Sequence, residues 1–159
     1  MPGSRKSWTE KLKDSKDLPR VEIITEKMSQ RWGTGTVVIP APLEVDALMR
    51  SVPRGQVTTI NQIREALARR HNATIGCPIT TGIFAWVAAH AADEMAFSGE
   101  KNITPYWRTL KAGGELNAKY PGGVQEQAAR LKEEGHIIEQ SKKVLRVKDF
   151  AKKLAHLSA

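Results

Sequence analysis

Apolar residues recur at helical spacing through the middle of the chain. The first such face, spaced i, i+3, i+4, i+7, predicts an amphipathic helix made by Val45, Leu48, Met49 and Val52. A second helix is predicted to begin at Thr59, whose hydroxyl can cap free backbone N–H groups together with Gln62 three residues later. Its buried stripe is formed by Ile60, Ile63 and Leu67. The pattern breaks at residues 71–78, where Gly76 and Pro78 predict a loop.

A third helix is predicted over residues 82–97, with Thr80 or Thr81 as its cap and Ile83 and Val87 on its apolar face. Two helices joined by a loop, the second opened by hydroxyl side chains, are typical of a helix-turn-helix. Most helix pairs of this kind bind no DNA. The pattern alone therefore leaves a purely structural role open.

The rest of the chain divides around this helical region. Residues 1–40 are predicted to form an N-terminal extension with a short strand at Val37–Ile39, held to the domain by Trp8 and Trp32. Residues 41–136 form the main domain, and residues 137–159 a small hairpin and a short helix packed on it. The predicted fold class is mainly α with a small β-hairpin, a winged helix-turn-helix-like DNA-binding domain.

Charge and composition favour a polyanionic partner. Lys and Arg outnumber Asp and Glu 25 to 17, a formal charge of +8, and basic side chains displace the counterions condensed on phosphates. The same charge also suits solubility or other acidic partners. A single cysteine, Cys77, is typical of a reducing compartment, and the four histidines are scattered singly, so we expect neither metal nor cofactor. With no apolar run long enough for a signal or a span, we expect a cytoplasmic protein without a membrane partner.

Four segments follow one another along the chain: VPRGQVTTINQI, TPYWRTL, GGELNAKYPGG and LKEEGH. Together they resemble the C-terminal domain of alkylguanine-DNA alkyltransferases and the alkyltransferase-like proteins that share its fold. The resemblance covers residues 43–136. The family's active-site motif Pro-Cys-His-Arg is matched by Pro105 and Arg108 alone, with Tyr106 at the cysteine position and Trp107 at the histidine position.

The resemblance implies a protein without the family's chemistry. In the alkyltransferases a histidine takes the proton of the reactive cysteine, and the thiolate accepts the alkyl group. A phenol, with an ordinary pKa of about 10, is a poor nucleophile, and an indole nitrogen cannot take a proton. We therefore expect no enzyme. The alkyltransferase-like proteins bind alkylated guanine without repairing it and mark it for excision repair.

The resemblance also implies a set of DNA-contacting residues at the two predicted helix starts and around the aromatic segment. They are Thr59, Arg64, Thr80, Thr81, Gly82, Tyr106, Trp107, Arg108 and Tyr120. Tyr106 and Trp107 offer rings for stacking a base, with core packing as the alternative. Arg108 would reach DNA or the pocket wall, with a structural ion pair as the alternative. Glu134, which holds the histidine in the family, is expected to bind backbone or solvent here.

Three features depart from the family pattern. The arginine that replaces a flipped base in the family falls at Thr80 or Thr81, and a phosphate-rotating tyrosine falls at Ile60. Residues 93–100 are an insertion before TPYWR. Because extruding a base costs a few kcal/mol, the pocket or phosphate contacts would have to offset that cost without the arginine.

Three functions stay open on these grounds. The first is a monomeric, non-catalytic protein that recognises alkylated guanine in duplex DNA and passes it to excision-repair proteins. The second is an enzyme, a divergent alkyltransferase that uses Cys77. The third is a general DNA-binding or interaction module without preference for a lesion.

Overall fold

Helices and short strands alternate along the chain in the computed structural model, which describes residues 6–158. The helices are α1 (Trp8–Lys13), α2 (Glu26–Trp32), α3 (Pro42–Arg50), α4 (Ile60–His71), α5 (Pro78–Phe97) and α6 (Gly123–Glu133). The strands are β1 (Arg20–Ile23), β2 (Thr36–Ile39), β3 (Thr58–Thr59), β4 (Ile75–Gly76), β5 (Thr109–Leu110), β6 (Ile138–Ser141) and β7 (Val144–Val147). Two 3-10 turns cover Tyr106–Arg108 and Phe150–Lys153.

The strands form three small sheets. In the first, β1 is antiparallel to β2 and β2 is parallel to β4. In the second, β3 is parallel to β5, which brings the start of α4 beside the Tyr106–Arg108 turn. In the third, β6 and β7 form the predicted hairpin. Mixed helical content with a terminal hairpin is confirmed, whereas the first sheet was not predicted, because its alternation in the sequence is too brief.

The main core lies between α3, α4 and α5. Val45, Met49, Ile63 and Leu67 are completely or almost completely buried there, as their periodicity predicts. The cap of α4 is also as predicted, since the Gln62 N–H donates to the Thr59 hydroxyl oxygen at 3.2 Å. The Gln62 side chain does not complete the capping box, because it bonds to the Thr58 hydroxyl and the Ala155 carbonyl instead.

The start of α5 differs from the prediction. Cys77, not Thr80 or Thr81, is the N-cap, and Pro78 is the first helical residue. Proline is favoured at that position because its missing N–H would have no helical partner anyway. The helix continues for 20 residues, so the first part of the predicted insertion lengthens α5. Phe97 at its end is 96% exposed.

The segment before α3 packs on the same core. Leu12 of α1 is buried in the main cluster, and Trp8 packs against it, as predicted for an anchor. The predicted strand at residues 37–39 is confirmed by β2. Trp32 packs with Ile24, Val37 and Cys77 in a second, smaller apolar cluster. Within residues 6–158, no helix combines the length and the apolar character that crossing a bilayer requires.

Candidate nucleic-acid interface

A cleft of about 700 Å³ opens along the N-terminal half of α5. One wall is α5 itself, and the other is the loop that follows β5. The lining residues are Ile79, Gly82, Ile83, Trp86, Lys111, Asn117 and Lys119. We call this the α5 cleft. It combines an apolar and aromatic surface with two basic side chains.

The α5 wall is a stripe of residues spaced i, i+3, i+4, i+7, which places them on one face of the helix. Ile79 is 61% exposed and Ile83 48% exposed. The sequence predicted that Ile83 packs in the core, and this is wrong. Val87, predicted for the same apolar face, is buried as expected, together with the alanines at 85, 88, 89, 91 and 92. Exposed apolar residues grouped on one face of a helix are typical of a surface that contacts a partner or a ligand.

The opposite wall is a loop whose shape depends on a glycine. Gly114 has a φ of +85°, and a side chain there would collide with the Phe150 ring. Its N–H donates to the Lys111 carbonyl, and the Lys111 N–H donates to the Glu115 carbonyl, both at 2.9 Å. This tight turn presents Lys111 at the edge of the α5 cleft.

Gln127 of α6 connects this loop to the Tyr106–Arg108 turn. It is fully buried, and its oxygen accepts from the Asn117 N–H at 2.7 Å. Its amide nitrogen donates to the carbonyls of Trp107 at 3.2 Å and Thr109 at 3.4 Å. One buried amide therefore positions both the cleft loop and the aromatic segment. Nothing in the sequence singles out this residue, since a glutamine within a helix carries no motif.

The aromatic segment lies in the core. Tyr106 is 1%, Trp107 9% and Tyr120 2% exposed. Tyr106 meets the other two rings edge to face, with centroids 5.3 Å from Trp107 and 5.6 Å from Tyr120. The guanidinium of Arg130 lies 4.4 Å from the Trp107 ring centre. The stacking faces predicted for Tyr106 and Trp107 are thus covered, and core packing, the alternative considered above, is what the structure has.

Glu134 and Arg108 form a buried ion pair behind the Trp107 ring. Arg108 donates to the two Glu134 oxygens from Nε at 2.9 Å and from Nη2 at 2.7 Å, and from Nη1 to the Val52 carbonyl at 2.8 Å. The Trp107 Nε1–H donates to Glu134 Oε2 at 3.0 Å. The expectation that Glu134 binds backbone or solvent is therefore wrong. The Glu134 carboxylate is thus fully engaged by the Trp107 indole and the Arg108 guanidinium.

The electrostatics of this cluster oppose nucleophilic chemistry. Burial alone would raise the pKa of Glu134, but hydrogen bonds from Arg108 and Trp107 outweigh it and hold that pKa below its usual value. Burial raises the pKa of the Tyr106 phenol above its ordinary value, and its hydroxyl donates to the Pro121 carbonyl at 3.4 Å. The phenol is neutral and enclosed, and its nearest rings belong to Trp107 and Tyr120, neither of which is a base.

The other predicted contact residues are dispersed. Gly82 lines the α5 cleft. Thr59 is buried as a helix cap, and Thr81 is fully buried. The Thr80 hydroxyl lies 3.2 Å from the Cys77 sulfur. Arg64 donates to the Gly76 carbonyl at 2.8 Å and borders a separate cleft of about 590 Å³ beside α4.

Cys77 does not line the α5 cleft. It is 6% exposed and belongs to the second apolar cluster. Within the part of the chain that the structure describes, no group of three or more His, Cys, Asp or Glu residues has a geometry that could hold a metal ion.

The sequence missed six residues that line the α5 cleft: Ile79, Ile83, Trp86, Lys111, Asn117 and Lys119. A signal was present for three of them. Ile79, Ile83 and Trp86 repeat at i, i+4, i+7 in a helix whose small alanines already supply one packing face. A second apolar stripe on such a helix indicates a second contact surface.

Neither a protein-family model nor a curated protein sequence matches the chain. Two solved structures do. A crystal structure of S. pombe Atl1 in complex with damaged DNA containing O6-carboxymethylguanine is 20% identical, with a TM-score of 0.52. A crystal structure of S. pombe ATL in complex with DNA is 21% identical, with a TM-score of 0.53. Each match covers 72% of this chain and 94% of the other chain. The chain therefore shares, over most of its length, the fold of these alkyltransferase-like proteins.

Proposed function

We propose that this protein binds duplex DNA, recognises alkylated guanine in its α5 cleft and transfers no alkyl group. The observation that carries the proposal is the cleft itself. An exposed apolar stripe on the second helix of the α4–α5 pair faces two lysines across a space of about 700 Å³, which is ample for a base and its adduct.

Each part of the cleft has a counterpart in DNA. Stacking a base on an aromatic ring such as Trp86 contributes about 1–3 kcal/mol, and Ile79 and Ile83 offer apolar contacts for an alkyl group. Lys111 and Lys119 are both exposed and suit the phosphates beside an extruded nucleotide. Positions 80 and 81 are threonines, so no arginine replaces the extruded base in the stack. The cleft contacts must therefore offset the free-energy cost of extruding the base.

The shared fold supports the same proposal. S. pombe Atl1 binds damaged DNA containing O6-carboxymethylguanine, and this chain has that fold together with a basic charge of +8. The enclosed Tyr106 and the Trp107 indole support binding without repair. We propose that the monomeric protein hands the lesion to excision-repair proteins.

A binding series tests the proposal. Affinity is measured at two salt concentrations for duplexes that differ only in one guanine, plain or O6-alkylated. We expect binding to weaken steeply with salt and the alkylated duplex to bind at least about tenfold more tightly, a difference of about 1.4 kcal/mol. Equal affinities would reduce the protein to a general DNA binder, and no binding at low salt would contradict the proposal altogether.

A mass measurement tests the absence of transfer. The protein is incubated with an oligonucleotide that carries a labelled alkylguanine, and its intact mass is then determined. We expect no change, because Cys77 lies outside the cleft. An added alkyl group that disappears in Cys77→Ser would instead establish an enzyme.

A further inference from the structure

The face of α5 that lines the cleft continues beyond it. Trp86, which lines the cleft, is followed on the same face by His90 and Glu94 at i+4 and i+8. From Trp86 onward this face is covered by α1. The helix α1 therefore packs on α5 directly beside the α5 cleft, against the residue Trp86 that lines it.

Glu94 fixes the position of α1. Its carboxylate accepts from the backbone N–H of Trp8 at 3.1 Å and of Thr9 at 3.2 Å, and also from the Thr9 hydroxyl. Leu12, one turn further along, is buried in the main core. The start of α1 is thereby held at one place on α5, with the Trp8 side chain directed at the neighbouring rings.

Trp8, Trp86 and His90 form an aromatic cluster at this end of the cleft. The Trp8 ring stacks on His90 with centroids 4.5 Å apart and meets Trp86 edge to face at 4.7 Å. His90 Nε2 lies 3.0 Å from the Lys119 carbonyl. Trp8 thus contacts one residue of the α5 wall directly and the opposite loop through His90.

We propose that Trp8 is a positioning residue for the α5 cleft. It fixes the Trp86 ring directly and the Lys119 loop through His90, and so sets the distance between the two walls of the cleft. This inference rests on the proposed function for its ligand. Trp8 itself is absent from the cleft lining, so it acts on DNA only through the Trp86 ring and the Lys119 loop. Removing the indole leaves Trp86 and His90 free to rotate into the vacated space.

The first test compares Trp8→Ala, Trp8→Phe and the wild type on plain and alkylated duplexes. We expect the ratio of the two affinities to fall about three- to tenfold in Trp8→Ala, with a smaller loss of affinity for plain DNA because Lys119 is displaced, and to be largely restored in Trp8→Phe. His90→Leu, which removes both the stack on Trp8 and the contact with Lys119, should lower the ratio in the same direction.

Trp32→Ala is the matched control. Trp32 is also half-buried, but it packs in the second cluster beside Met28 and lines no part of the α5 cleft. It should lose thermal stability and keep the wild-type ratio. A ratio unchanged in both Trp8→Ala and His90→Leu, or lowered equally by Trp32→Ala, would overturn the positioning role.

A second test needs no DNA, so it separates this inference from the proposed function. Hydrogen exchange is measured at the Lys119 and Tyr120 amides, which bond to the Asn117 side chain and carbonyl. We expect faster exchange in Trp8→Ala and His90→Leu, and wild-type rates in Trp32→Ala. Unchanged rates in all three would show that Trp8 does not control the loop. A wild type without preference for alkylated DNA, but with this exchange pattern, would contradict only the proposed function.

Discussion

Glu134 decides the chemistry available to the aromatic segment. Its carboxylate accepts three hydrogen bonds from Arg108 and Trp107 while its side chain is only 4% exposed. A buried charge of this kind is tolerated because its partners replace water. The residues at 106 and 107 were identifiable from sequence, but their burial was not, because it depends on Gln127 and Arg130 of a distant helix.

Replacing Glu134 should therefore be costly. Glu134→Gln leaves Arg108 charged and largely buried without a counter-ion, and we expect the free energy of unfolding to fall by about 3 kcal/mol. Urea denaturation measures the change. Glu126→Gln is the control, since its ion pair with Arg130 is much more exposed to solvent than the Glu134 pair and should contribute less than about 1 kcal/mol. Equal losses in the two variants would refute the special role of Glu134.

At the scale of elements, α5 forms one wall of the cleft in which we propose that DNA binds. Periodicity predicted the helix, and its length and second apolar stripe create the cleft. Its beginning was mispredicted because Thr80 and Thr81 resemble caps, whereas Pro78 and the Cys77 sulfur perform that role. The loop opposite could not be placed from sequence, since its shape depends on the close approach of Gly114 and Phe150.

Gly82 allows the cleft to be filled without disturbing the core. A Cβ at this position meets nothing within 4 Å, so larger side chains are accommodated in open space. We expect Gly82→Ala to raise the free energy of unfolding by about 0.5–1 kcal/mol and to bind alkylated DNA nearly as well as the wild type. Gly82→Phe should fold equally well but lose the preference for the alkylated duplex, as measured by competition binding. Retained preference in Gly82→Phe would exclude the α5 cleft as the lesion site.

The two cleft lysines are predicted to contact phosphates. Lys111→Gln and Lys119→Gln should each weaken binding to plain and alkylated duplexes alike and reduce the slope of log K against log salt by about 0.9. Lys101→Gln, which changes an exposed lysine that does not line the cleft, should leave the slope unchanged. Slopes unaffected by the two cleft substitutions would remove the lysines from the interface.

At the scale of the whole molecule, the charge of +8 predicts an anionic partner, and the binding series described above tests that prediction. The stability of the fold depends in part on buried groups that the sequence could not reveal. His136 is 4% exposed, and neither ring nitrogen has a hydrogen-bond partner among the described residues. Burial, together with the charges of Lys153 and Arg108, lowers its pKa, and the Glu134 charge opposes this only in part. Because the histidines are isolated from one another in the sequence, the burial of His136 could not be predicted from it.

His136 should make stability depend on pH. Because its folded pKa lies below the ordinary 6.5, the unfolded chain binds the proton first, and the free energy of unfolding falls as pH drops from 6.5 toward the folded pKa. Thermal melts from pH 7.5 to 5.5 should show this decline, and His136→Leu should reduce it. An identical decline in that variant would place the titrating group elsewhere.

The enclosure of Tyr106 bears on how many times one molecule of the protein can act. The Tyr106 phenol is sealed by the Pro121 carbonyl, and the sole cysteine lies outside the α5 cleft, so under the proposed function an encounter with damaged DNA would leave both molecules chemically intact. The protein would then be released by dissociation and used again. The number of lesions it serves would be limited by its residence time on the duplex, in contrast to a suicide enzyme that is spent with every lesion it meets.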